Sequence, residues 1–194
     1  LMVFVVLAPT ARPWKALTGN VLVMMALGCV STSNNMACIR SLRIGILVST
    51  LASDMNMAED RIGKQRLKGA YAWRTFLAQG SRIAFGSDFP VELANAFHGL
   101  HAAVTRQSGE NEPNDGWIPE EKVTLQEALR GFTLDAAYAG HQEKIIGSLE
   151  PGKKADFILL DQDIFTMPAA KIWQTQVLAS WVNGKQIYRR NTVN

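Results

Sequence analysis

Apolar and polar positions change their period several times along the chain. Residues 1–50 hold two apolar runs, LMVFVVLA and VLVMMALGCV, divided by PTARPWKALTGN. Neither run reaches the roughly eighteen residues that a membrane-crossing helix needs. Farther on, Ile62, Leu67, Ala70, Trp73, Phe76 and Leu77 recur near helical spacing, with acids early and Gly80 placed to stop the helix. This pattern predicts one amphipathic helix of about five turns over MAEDRIGKQRLKGAYAWRTFLAQG. The next segment, Arg82 to Gly86, is too apolar for a half-exposed strand and predicts one buried on both faces, as in a parallel sheet.

A further helix is expected over Leu93 to Thr105, and QSGENEPNDGW reads as a polar loop because its Gly, Asn and Pro content excludes regular structure. Thr124 and Glu127 form a T-x-x-E capping box ahead of Ala128, Leu129, Phe132 and Ala136, so one helix or two short ones run up to Gly140. Beyond Gly147 the period shortens: ADFILLD predicts a strand, and VLASWVNGKQIYR a hairpin turning at Asn183-Gly184. A helix followed by a buried strand is α/β grammar, and the last forty-odd residues read as a small β unit behind it.

Composition adds limits. The chain has 194 residues, 47% hydrophobic and 19% charged, enough apolar material for a real core. Net charge is only +3, and no Lys/Arg run longer than a pair interleaves with aromatics, so neither a nucleic-acid partner nor a membrane is expected. Cys29 and Cys38 have no metal-ligand spacing and read as free thiols. The first acid is Asp54, while Arg12, Lys15, Arg40 and Arg43 precede it. Residues 1–50 are therefore an atypical segment, read as non-native or out of frame. A second reading is a lipoprotein signal with Lys15 as its basic end and Cys29 as the lipidated residue, although Leu27 stands where a small residue is usual. Without a trustworthy signal, the cytoplasm is the default location.

Asp88 carries the chemical interest. It follows the apolar strand directly, in IAFGSDFPVE. A carboxylate is costly to bury alone, so at this point it caps a helix, pairs with a cation or binds a metal. Active sites of parallel α/β folds collect at the carboxyl ends of the strands, which favours function; Pro90 at an early helical position would equally allow a cap.

Several stretches then carry a resemblance: AEDRIG, KGAYAWRTFLAQGSRIAFGSDFPVE, HAAVTRQ, LQEALRGFTLDAAYA and IGSLEPGKKADFILLDQD. Together, from about Ser53 to Tyr188, they resemble the C-terminal part of the amidohydrolase superfamily, in its YtcJ-like branch, amidohydrolase family 3. The resemblance implies the last part of a metal-dependent hydrolase (β/α)8 TIM barrel over residues 51–143, then strands of a composite β-sandwich over 144–194. LRIGILVST resembles a seventh barrel strand, and Asp88 becomes the aspartate ending the eighth. The implied activity is hydrolysis of a non-peptide, amide-type C–N bond in a small molecule. A divalent metal, zinc by resemblance, activates a water, and Asp88 serves as metal ligand and general base.

The resemblance also marks what is missing. There is no H-x-H, and the only histidines, His98, His101 and His141, all follow Asp88. One carboxylate cannot hold a catalytic zinc, which takes about three protein ligands. The chain is thus expected to be inactive alone, a fragment of a longer gene product. The competing expectation is a non-catalytic remnant or assembly module, and unpaired barrel edges predict a homo-oligomer. His98 and His101, three apart on one helical face, are candidates for the substrate pocket, as are Glu92 and Trp117; surface positions for the histidines, a loop salt bridge for Glu92 and rim packing for Trp117 are the plainer alternatives. Asp156 is expected to bond backbone at the return into the sandwich.

Overall fold

The computed structural model describes Val3–Phe4, Ile44–Val48 and residues 51–191. The expected five-turn helix is broken into three pieces: α1 (Leu51–Ile62), α2 (Lys64–Leu67) and α3 (Trp73–Ala78). Gly63 and Gly69 take left-handed φ values of 75° and 94°, which turn the chain between the pieces. Helical spacing of the apolar positions survives these breaks because Met55, Ala58, Leu67 and Trp73 are all buried from different segments. Period alone cannot distinguish one long helix from several folded onto a shared core.

The buried strand expected over Arg82 to Gly86 forms. β3 (Arg82–Gly86) pairs in parallel with β2 (Ile44–Val48), from Ile44 opposite Arg82 to Val48 opposite Gly86. Its central residues Ile83, Ala84 and Phe85 are buried. An N-terminal strand, β1 (Val3–Phe4), belongs to a second sheet described below. The apolar stretch around Cys29 lies outside the described residues.

After β3, helix α4 (Ala96–Thr105) starts three residues later than its apolar pattern suggests. Asn95 sets the start by accepting a hydrogen bond from the Phe97 amide at 3.1 Å, and Arg106 ends the helix with a left-handed φ of 62°. Helices α5 (Leu125–Phe132) and α6 (Leu134–Ala139) realise the two-helix alternative, separated at Thr133. The capping box forms: Glu127 N donates to Thr124 Oγ1 at 3.2 Å, and Thr124 N donates back to Glu127 Oε2 at 2.7 Å.

The C-terminal β unit contains β4 (Phe157–Leu160), β5 (Val177–Val182) and β6 (Lys185–Arg189), antiparallel in the order β1-β4-β5-β6. The hairpin turns at Asn183 and Gly184, both at positive φ (52° and 74°), as an Asn-Gly turn does. Phe157 stacks on Trp181, its directly opposite residue, with ring centroids 4.5 Å apart. Buried Asp156 accepts the Asn183 amide at 2.6 Å, the backbone bond expected of it. One core unites both parts: Trp73, Ile83, Phe85 and Leu100 belong to the same buried cluster as Ile158, Leu160 and Ile172. Packing of α4 against the 3-10 turn Ala169–Gln174 joins them.

No helix among the described residues is long and apolar enough to cross a membrane.

Candidate functional site

β3 ends at Gly86, and the chain turns at once. The Val91 amide donates to the Asp88 carbonyl at 2.9 Å, and the Glu92 amide donates to the Ser87 carbonyl at 3.2 Å. Asp88 sits in this turn at a left-handed φ of 49°, which Asp tolerates better than most side chains, and it is exposed. It does not cap α4; Asn95 fills that role. Its carboxylate is therefore presented beyond the carboxyl end of a buried parallel strand.

Beside that strand end lies a cavity of about 220 Å³. Its polar lining includes Ser87, Glu92, Asn95, His98, His101 and Glu110, and Leu93 and Phe132 contribute apolar surface. Three of the sequence candidates, Glu92, His98 and His101, thus meet at one place. Asp88 and Trp117 are not part of this lining.

Glu92, His101 and His98 are held by identifiable contacts. Glu92 Oε1 accepts from both the amide and the hydroxyl of Ser53, at 2.9 and 2.8 Å, which fastens the loop after β3 to the first turn of α1. His101, only 1% exposed, places Nε2 2.9 Å from Asn111 Oδ1. Burial pushes its imidazole pKa down, and the Asn111 bond opposes this only in part, so the ring is neutral at pH 7. His98 is half-buried, its ring 5.8 Å from that of Trp173 in the C-terminal unit.

The polar loop after α4 is irregular, as expected, yet tightly anchored. Gln107 Nε2 lies within hydrogen-bonding distance of three carbonyls, those of Asn111, Pro113 and Asn114, at 3.0, 3.1 and 2.9 Å, which share its two N–H donors. Arg106 has no exposed surface; its Nε donates to the Trp117 carbonyl at 2.9 Å and its Nη1 to the Tyr71 carbonyl at 3.2 Å. The guanidinium lies 4.6 Å from the centre of the Trp73 ring and 5.6 Å from that of Trp117. Burial pushes its pKa down to about 10, so it is still a cation at pH 7. Trp117 meets Tyr71 edge-on at 5.0 Å and packs as part of this support. Tyr71 in turn donates its hydroxyl to Asp54 Oδ2 at 2.7 Å, and burial, followed by that bond, pushes the phenol pKa up.

Arg106, Gln107 and Glu110 escape the sequence reading. They fall at a helix end and in a loop whose composition signals only irregularity, and nothing in the spacing shows which side chains turn inward. As for a metal, no group of three or more His, Cys, Asp or Glu side chains suited to hold one occurs among the described residues. Asp88 by itself is short of the roughly three protein ligands of a catalytic zinc, so these residues do not hold the ion on their own.

With this geometry in view, comparison with known proteins defines the class. The amidohydrolase family matches residues 10–188, and the chain belongs to that family. The amidohydrolase YtcJ of Bacillus subtilis is 31% identical over 141 residues, 73% of this chain and 27% of the relative. Protein LONG AFTER FAR-RED 3 of Arabidopsis thaliana is 34% identical over 139 residues, 71% of this chain and 23% of the relative. N-substituted formamide deformylase of Arthrobacter pascens is 32% identical over 117 residues, 60% of this chain and 21% of the relative. The chain thus spans about a quarter of the length of these relatives. Among solved structures, an uncharacterized metal-dependent hydrolase from Pyrococcus furiosus is similar at a TM-score of 0.54 and 26% identity, over 66% of this chain and 26% of that one. Guanine deaminase of E. coli reaches a TM-score of 0.56 over 84% of this chain and 38% of its own, at 15% identity, a likeness of fold alone.

Proposed function

We propose that this chain is the C-terminal portion of a metal-dependent hydrolase that cleaves a non-peptide, amide-type C–N bond in a small molecule. Residues 51–143 are then the last part of a (β/α)8 barrel, and 144–194 contribute strands to a β-sandwich. β2 and β3 correspond to the seventh and eighth barrel strands. The observation that carries this reading is Asp88, an exposed carboxylate in a left-handed turn directly after a buried parallel strand, in a chain of the amidohydrolase family. The deformylase relative, which acts on N-substituted formamides, gives the reaction class its support.

In this role Asp88 accepts the proton of the water that attacks the carbonyl carbon and returns it to the departing nitrogen. The metal, zinc by family likeness, takes its other ligands from outside the described residues. Glu92, His98 and His101 form part of the substrate pocket, while Trp117 braces its rim.

A second reading, of a different class, is a non-catalytic remnant or assembly module; no group of three or more metal-ligating side chains occurs among the described residues. The parent gene separates the two. If translation upstream of the Asp54 codon yields H-x-H and further histidine motifs, that longer protein is expected to bind metal and hydrolyse amide-type substrates. Asp88→Asn should then lower the rate by about 100-fold or more. Full activity in that variant would overturn the assignment of Asp88, and a closed frame starting near Leu1 would favour the remnant.

A further inference from the structure

The turn that carries Asp88 is not held by burial. Phe89, Val91 and Leu93 are all exposed, so apolar packing does not fix the path of the chain there. Asp88 itself stands at a left-handed φ of 49°, a conformation that a residue other than glycine keeps only where its surroundings hold it. Two main-chain bonds, from Val91 N to the Asp88 carbonyl at 2.9 Å and from Glu92 N to the Ser87 carbonyl at 3.2 Å, close the turn on itself. Neither reaches another helix.

The Glu92 side chain does. Its Oε1 accepts from the Ser53 amide at 2.9 Å and from the Ser53 hydroxyl at 2.8 Å. Ser53 lies in the first turn of α1, where an amide has no acceptor within the helix and the helix N-terminus favours a carboxylate. β2 and β3 run parallel with Val48 opposite Gly86, so the start of α1 and the Asp88 turn leave the same end of the sheet side by side. Among the described residues, the two Ser53 bonds are the side-chain hydrogen bonds that tie residues 88–93 to another element.

We infer that Glu92 is a positioning residue: its latch to Ser53 fixes the turn that presents Asp88 and so keeps the Asp88 carboxylate in one place. A general base works only within hydrogen-bond reach of the proton it takes, and a turn free to swing forfeits that reach. The inference rests on the proposed hydrolase reading for the use made of Asp88. The latch itself is a property of this chain and is measured without turnover.

Hydrogen–deuterium exchange of the 194-residue chain, followed by mass spectrometry, tests the latch. The reporter is the peptide spanning the turn, and the reference is a peptide from α4. Glu92→Leu has no acceptor for Ser53 and should speed exchange in the turn by about tenfold while α4 stays as it was. Glu92→Gln keeps Oε1 and should exchange as the native chain does. Ser53→Ala loses the hydroxyl, keeps the amide donor and should speed the turn by about threefold. It also decides the matter if Glu92→Leu loosens the whole molecule. Native exchange of the turn in Glu92→Leu, or, where that variant loosens α4 too, in Ser53→Ala, would overturn the latch.

In the longer enzyme, Glu92→Leu should lower kcat by about tenfold, and Glu92→Gln should restore it. Equal losses in both variants would mean that Glu92 acts through its charge, and would overturn the positioning role. The fate of Asp88→Asn is read separately: full activity there removes Asp88 as the base whatever the exchange shows, and a turn that ignores Glu92→Leu removes the latch even where Asp88→Asn is dead.

Discussion

Arg74 and Glu127, fifty-three residues apart, form a two-pronged ion pair with N–O distances of 2.7 and 2.6 Å. The same carboxylate closes the capping box of α5, accepting from the amide and hydroxyl of Thr124. One side chain therefore helps start a helix at its proper residue and ties that helix to α3.

The pair makes stability depend on acid. Its hydrogen bonds to Arg74, chiefly, hold Glu127 down to about 2, well below an ordinary glutamate. A carboxyl depressed in the folded state stabilises fully above its unfolded pKa, and this contribution fades as pH falls through the folded value. Melting temperature should therefore drop between about pH 4.5 and 2 in the native chain, and drop less in Glu127→Gln. At neutral pH that substitution should cost about 1 to 2 kcal/mol, discounted for a partly exposed pair and read by urea denaturation.

Gly131 in α5 is buried where a methyl group has no room. A Cβ there would lie 2.3 Å from Phe85 Cδ2 and 3.0 Å from the Ile83 carbonyl oxygen. On an exposed helix Gly→Ala stabilises; here the sign reverses, because strand backbone and a core ring must both move. Gly131→Ala should destabilise by about 1 to 3 kcal/mol in a denaturant titration.

Arg106 is fully buried, yet among the described residues none of its hydrogen bonds goes to a carboxylate, and its Nη2 has no partner. Replacing it with Ala removes two hydrogen bonds and the filling between Trp73 and Trp117. A loss of about 3 kcal/mol is expected in thermal or chemical unfolding. Arg106→Lys should recover little of it, because an ammonium can neither lie flat between the rings nor reach both carbonyls in the same fork geometry.

β6 is exposed along its whole length, with Ile187 61% and Tyr188 44% exposed, and its outer edge has no partner among the described residues. Phe89, Val91 and Leu93 add apolar surface beside Asp88. Light scattering of the isolated chain should therefore give a mass above the 21.4 kDa of a monomer. A clean monomer would contradict this.

Much of the architecture was legible because it depends on local rules. The burial of Ile83 to Phe85, the Thr124 cap and the Asn183-Gly184 turn each follow from a few adjacent residues, and all three form. The single helix expected over residues 57–80 does not, since the consequence of Gly63 and Gly69 depends on which tertiary turn the chain must make. At the site, three candidates converge because Glu92 and the two histidines sit on one loop and one helix face. Glu110 and Arg106 were hidden, since their positions depend on how a loop without periodicity folds back. The partnership of Arg74 with Glu127 was hidden too, because nothing local joins residues so far apart.

The anchoring of the loop after α4 has an evolutionary consequence. Gln107 grips the loop through main-chain oxygens, and every amino acid supplies one of these. Glu110, Glu112, Asn114 and Asp115, whose side chains make none of these anchoring bonds, can therefore be exchanged without releasing that grip, so what the loop offers at the cavity mouth can change while its path over the molecule stays the same.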